Sequence, residues 1–253
     1  MPTANLQSTR VYITGDDFGL SPAVNAAIEA YHRAGALHQA SLMVGEMNVD
    51  EAVEIARRNP RLRVGLHLTL CEGNATGRSA LTDKQGRFTK SPALAGLRYA
   101  VNPRLLEPLR LEIRRQFEQF LALGFPPTYW DGHTHLHLHP LIFRLTLPIA
   151  AQLGFKVTRL VREPGPFALI PWIFKQLSAA AIPSLEKARM RYADQVIGLR
   201  DTGCMTEATF REAIGKAKGL TEIYFHPGAE ASPPSPEHLA TLLQASGQPF
   251  ELP

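Results

Sequence analysis

The stretch 129–140 reads YWDGHTHLHLHP and sets His133, His135, His137 and His139 within seven residues, just behind Asp131. Four of the chain's nine histidines lie there. Imidazole moves protons and binds metals near neutral pH. Three other pieces carry related chemistry. TGDDFGLS places Asp16 beside Asp17, GLHLTL embeds His67 in an apolar run, and YFHPG carries His226. Adjacent carboxylates repel, and a metal on one with proton transfer on the other relieves the conflict. Nitrogen and oxygen donors without thiolate suit Zn²⁺, Mn²⁺, Co²⁺, Ni²⁺, Fe²⁺ or Mg²⁺. An open coordination position would hold water and lower its pKa toward neutrality.

The elements that must position these groups alternate. β-like runs fall at 10–15, 40–45, 62–70, 127–139, 156–161 and 221–228, separated by helical patterns at 21–35, 49–60, 103–123, 140–153, 206–218 and 236–245. Ser21 as cap, Pro22 in the first turn and Gly35 at the end mark the first helix. Residues 71–102 lack periodicity and read as a long loop, and 166–190 read as apolar and helical with proline breaks. The alternation implies an α/β fold with parallel strands. The expectation is one domain over 1–253: an irregular, TIM-barrel-like (β/α) barrel of seven to eight parallel strands, closed or nearly closed. Functional groups then belong at the C-terminal strand ends. Asp17, His67, His133 and His226 come from four strands and meet that rule together. In an extended strand Asp131 and the four histidines would share one face at a spacing of roughly 6.6 Å, too long for one metal to hold them all. The others would line a pocket, bind substrate or cap the helix after Pro140.

Composition narrows the partners. The chain has 253 residues, 45% apolar, with a net charge of +4. The basic residues are scattered and lack aromatic interleaving, so nucleic acid is a poor partner. Cys71 and Cys204 form no C-x-x-C pair. The N-terminus lacks a charged start followed by an apolar run, and no apolar stretch reaches roughly 18 residues. The expected location is the cytoplasm.

Taken together, TGDDFGLS, GLHLTL, DGHTHLHLHP and HPG resemble the YdjC-like carbohydrate deacetylases, relatives of the chitooligosaccharide deacetylases, in order across residues 10–228. DDFGLSPAVNAAIE, ASLMVG, RVGLHLTLCEG and TEIYFHPG are most similar to the subgroup associated with hopanoid biosynthesis (HpnK-like). The resemblance implies hydrolysis of an N-acetyl group on an amino sugar. It implies a divalent metal, Zn or Mg first and Mn, Co or Ni next, on Asp17, His67 and His133. Asp16 would be the general base and His226 the general acid. His135 and His137 are substrate-pocket candidates, with His137 nearest the site. Arg159 and Arg162 flank the fifth strand end as candidates to orient Asp16. An N-acetylglucosaminyl lipid is the implied substrate; the apolar segment 166–183 would be a helix packed on the barrel or, with such a substrate, the lipid's wall or a surface resting on the inner membrane face. A homodimer is compatible with this reading. The rivals are another metal-dependent amidohydrolase, a non-haem iron oxygenase, and a non-catalytic metal- or sugar-binding protein.

Overall fold

The structure, a computed structural model, describes residues 9–89, 91–250, 252 and 253. The leader reading of the first eight residues lies outside them. Seven parallel strands form one sheet: β1 (Arg10–Phe18), β2 (Gln39–Leu42), β3 (Arg63–Leu68), β4 (Tyr129–Gly132), β5 (Val157–Thr158), β6 (Gln195–Ile197) and β7 (Leu220–Phe225). Their order is β5-β4-β3-β2-β1-β7-β6. The sheet curls into a partial barrel, and the flanks approach through a parallel bridge from Val157 to Arg191.

Side-chain alternation sorts the strands into two faces. Val11, Ile13, Ala40, Leu42, Val64, Leu66, Trp130, Ile223 and Phe225 face the helices and belong to the main apolar core. The opposite parity is largely polar and also buried: Tyr12, Thr14, Asp16, Gln39, Ser41, His67, Asp131, Glu222 and Tyr224. These residues bond to one another across strands: Gln39 donates to Thr14 Oγ1 and Thr14 to Glu222 Oε1, at 2.8 and 2.7 Å. The barrel interior is therefore a hydrogen-bonded column that rises to the site. A buried polar column is tolerated where its members bond one another, as most of these do.

Helix ends follow local chemistry. Helix α1 (Pro22–Arg33) is capped by Ser21 Oγ, which accepts from Val24 N. The same Ser-Pro start opens α3 (Pro92–Val101) and α8 (Pro236–Ala245), each serine accepting from the third residue on. Helices α2 (Val49–Arg58), α4 (Leu106–Ala122), α5 (Pro140–Gln152), α6 (Leu169–Lys187) and α7 (Glu207–Lys216) complete the set. Four expectations need correction. Residues 71–102 are not loop throughout, because Ser91-Pro92 nucleates α3. The 166–190 region holds one helix that continues past Pro183, anchored by buried Ala181 and Leu185. The fourth strand stops at Gly132, and a short strand, β6, lies where none was expected. Among the described residues no helix is long and apolar enough to cross a membrane.

Candidate active site

Two local departures from regular strand geometry build the site. Neighbouring residues on a strand point to opposite faces, so Asp16 and Asp17 should not share a pocket. The register of β1 against β2 shifts between Gly15 and Phe18, and Asp17 adopts φ 65°. This left-handed residue is costly for a side chain with a Cβ. It turns the Asp17 carboxylate in beside that of Asp16. The second departure follows β4. Residues His133–Leu138 form a tight 3-10 turn, with Thr134 and His135 at φ 54° and 57°. The histidines consequently do not form a row on one strand face. The turn folds back so closely that a Cβ on Gly132 would stand 2.8 Å from that of His137.

Asp17, His67 and His133 converge as a result. Asp17 Oδ1 lies 2.9 Å from His133 Nδ1 and 3.3 Å from His67 Nε2. Ligand-type atoms of the three all lie within 4.8 Å of one another. His67 Nδ1 lies 2.7 Å from Asp131 Oδ1, and donating there leaves its Nε2 lone pair facing a carboxylate oxygen. Two acceptors face each other unless a cation or proton sits between them. Burial disfavours the His67 imidazolium, yet the Asp131 and Asp16 carboxylates outweigh it and push its pKa up to about 10. A field that holds a proton so firmly suits a divalent cation. The donor set of one carboxylate and two imidazoles, with a carboxylate behind one imidazole, fits a zinc-type site. A second cluster of Asp16, His67 and Asp131 is fully buried, but its carboxylates are already engaged.

Their partner is Arg159, 2% exposed. It grips Asp16 in a fork, Nη1 to Oδ2 at 2.6 Å and Nη2 to Oδ1 at 2.9 Å. Nη2 also reaches Asp131 Oδ2 at 2.9 Å and Glu222 Oε1 at 2.7 Å. The guanidinium lies over the Tyr224 ring, 4.6 Å from its centroid. Burial opposes ionisation of Asp16, and Arg159 overcomes it, holding Asp16 well below the usual carboxylate range. Arg162 is not brought to Asp16. Its Nη2 donates to Ala193 O, and it sits over Tyr192.

His226 follows β7 at the same end. Its backbone N donates to Glu230 Oε1 at 3.0 Å, and its Nδ1 lies 3.4 Å from the same oxygen. Burial lowers its pKa, but the Glu230 hydrogen bond and the Asp17 and Asp16 charges leave it raised above 6.5. His135 Nε2 pairs with Tyr224 OH at 2.8 Å, and His137 Nε2 donates to Arg159 O at 3.0 Å. Both are buried, and desolvation lowers both pKa values, His137 to about 4. Their bonds tie the turn to β5 and β7. His139 precedes α5, its pKa also lowered by burial.

Glu222, Glu230 and Glu72 draw no role from the sequence pattern, and Asp131, expected on one face with the histidines, instead stands behind His67. Glu222 shares the strand parity of His226, and Asp131 is the strand partner of His67 in the β3–β4 register. That inward parity was the available signal. Glu72 Oε2 stands 3.9 Å from His133 Nε2, and no pattern in the loop announced it.

Fold and site define a (β/α)-barrel protein with a buried carboxylate–imidazole centre at the C-terminal strand ends. The chain belongs to the YdjC-like family, whose sequence model matches residues 10–248. It is similar to a carbohydrate deacetylase of Brevibacillus brevis, 33% identical over 167 residues, covering 65% of this chain and 60% of that protein. The match with the Clostridium beijerinckii carbohydrate deacetylase covers 57% of that protein, so the chain spans somewhat over half the length of these bacterial relatives. A carbohydrate deacetylase of Mus musculus is 29% identical over 254 residues, covering 89% and 80%. Among solved structures, a protein of Enterococcus faecalis V583 named for cellobiose-phosphate cleavage shares the fold with TM-score 0.71, at 19% identity over 96% of this chain and 97% of that one.

Proposed function

We propose that this chain is a metal-dependent deacetylase that hydrolyses the N-acetyl group of an amino sugar. The observation that carries the reading is the convergence of Asp17, His67 and His133 beside an Asp16 clamped by Arg159. The deacetylase names of the relatives agree with it. Asp17, His67 and His133 would hold the divalent ion, which when bound would polarise the amide carbonyl and make water nucleophilic at neutral pH. Asp131 fixes the His67 tautomer. Asp16 takes the proton of the attacking water, and since each carboxylate oxygen has two acceptor directions, the Arg159 fork leaves room for it. His226, on the Glu230 carboxylate, gives the leaving nitrogen its proton. His135 and His137 hold the turn that presents His133, and so shape the substrate pocket from beneath. A purely metal- or sugar-binding protein would not need the clamped base beside the ligand set.

The substrate reading extends to a lipid-linked amino sugar of the hopanoid kind. Phe167, Leu169, Ile170, Trp172 and Ile173 at the start of α6 are 41–79% exposed, an apolar rim rather than a face packed on the barrel. Peripheral contact with the inner membrane face through that rim follows. The deciding experiment measures acetate release from N-acetylglucosaminyl compounds with and without chelator, and kcat/KM for a detergent-solubilised glycolipid against N,N′-diacetylchitobiose. Absent release removes the deacetylase reading, chelator-insensitive release removes the metal, and equal or better activity on the soluble sugar removes the lipid.

Two outcomes follow from named residues. His67→Ala and His133→Ala should each lose bound metal, read by elemental analysis, and full occupancy in both would rule out this ligand set. The pH profile tests His226. It acts while protonated, so kcat/KM should fall as pH rises through a pKa above 6.5. Glu230→Gln removes the charge that favours the imidazolium, so this fall should move to lower pH. An unmoved alkaline limb would exclude His226 as its source.

A further inference from the structure

The exposed apolar side chains are not spread evenly over the barrel. Among the described residues twelve large ones are exposed, and all but Leu111 and Phe250 lie on segments that leave the C-terminal strand ends or open a helix there. Scattered apolar residues are ordinary on a protein surface, whereas a set gathered at one end marks a binding face. The α6 rim holds five of them. Helix α3 carries three more, Leu94, Leu97 and Val101, at 54, 60 and 67% exposure. Their i, i+3, i+7 spacing puts them on one stripe of the helix. The other side of α3 is anchored: Ala95, Gly96 and Tyr99 are buried, and Tyr99 OH donates to Leu70 O at 2.8 Å. The helix is therefore apolar on both sides, one facing the protein and one facing out.

Both helices lean on the turn that carries the histidines. The α3 backbone at Gly96 comes so close that a Cβ there would stand 3.4 Å from His139 Cδ2 and 3.7 Å from Leu136 Cδ1. On α6, Phe174 packs edge to face on His135, with ring centroids 5.5 Å apart. The apolar stripes thus flank the turn that begins at His133, and with it the entrance to the site. A second copy seated on them would cover that entrance. Charge points to a different occupant. Segments 91–106 and 164–185 contain no aspartate or glutamate, and they expose Arg104 and Lys175. Apolar stripes accompanied only by cations match the surface of an anionic bilayer, where apolar side chains reach the acyl boundary and cations meet the headgroup phosphates. No described helix is long and apolar enough to cross a membrane, so these helices would lie on it.

We propose that the C-terminal end of the barrel is a membrane-docking face, on which α3 and the start of α6 together rest on an anionic bilayer with the site entrance turned toward it. The proposal rests on the membrane contact read above from α6 alone, and it adds a second helix, a barrel end and a lipid charge. The test is co-sedimentation of the full chain with vesicles of phosphatidylcholine containing phosphatidylglycerol, and with vesicles of phosphatidylcholine alone. The first should bind about tenfold more tightly, and salt should remove the difference. Leu97→Asp and Ile170→Asp, each checked for native folding by circular dichroism, should each weaken binding about tenfold, the scale of one large apolar side chain kept out of the membrane. Leu111→Asp, at an exposed apolar position off this face, should bind as the wild type does. Absent binding overturns the face, and equal binding to the two vesicle types overturns the anionic bilayer. Undiminished binding by Leu97→Asp overturns the part given to α3, and an equal loss in Leu111→Asp overturns the localisation to this end. A dimer in lipid-free sedimentation velocity that Leu97→Asp dissociates gives the stripe to a second copy and overturns the proposal. Acetate release is scored separately. Vesicle binding without release keeps the face and removes the deacetylase, and release without vesicle binding does the reverse.

Discussion

Arg159→Leu is expected to destabilise the fold by about 3–5 kcal/mol, because it leaves buried carboxylates without their counter-charge. Asp16, Asp131 and Glu222 all bond this one guanidinium, and none is more than 3% exposed at its side chain. Such a loss is a large share of the roughly 5–15 kcal/mol that holds a typical domain together. Arg159→Lys should recover only part of it, since an ammonium cannot reproduce the fork on Asp16. Urea denaturation monitored by fluorescence reads the effect. A loss below about 1 kcal/mol, the scale of an exposed pair, would show that the column does not depend on Arg159.

The second large effect separates the two aspartates. Asp16→Asn should keep the metal and lower kcat by about 10²–10⁴, the range of a lost general base. Asp17→Asn should lower metal content itself, because its Oδ1 is the oxygen shared by His67 and His133. Metal analysis and single-turnover rates on both variants give the answer. Some destabilisation of the Asp16 variant is expected as well, since its new amide would present a donor to the Arg159 fork. The division of labour fails if both variants retain the metal and turn over, or if both lose it together.

Legibility varied with how local the determining physics was. Ser21-Pro22 and Ser235-Pro236 mark helix starts through one cap and one proline, so α1 and α8 were readable to within a residue or two. The same signal at Ser91-Pro92 opens α3 within a segment whose lack of periodicity masks it. Strand β6 is three residues long, held by pairing with β7, and has no internal pattern to betray it. Arg159 and Arg162 looked equivalent, both close to the end of β5. Three residues of separation aim one inward to Asp16 and the other toward Ala193.

The sequence by itself determined the alternation of strands and helices, the polar parity of β1, β3 and β7, and the gathering of Asp17, His67, His133 and His226 at one end. These follow from residue type and period, which act within a few residues of chain. Only the tertiary structure decided that Asp16 and Asp17 share a pocket, through a left-handed residue at a register shift. Only it decided that the histidine run folds into a turn, where His133 faces Asp17, His135 meets Tyr224 and His137 meets Arg159 O. The reason is energetic. Left-handed backbone at Asp17, Thr134 and His135 is unfavourable in isolation, and it is stable here because distant groups on other strands supply the compensating bonds.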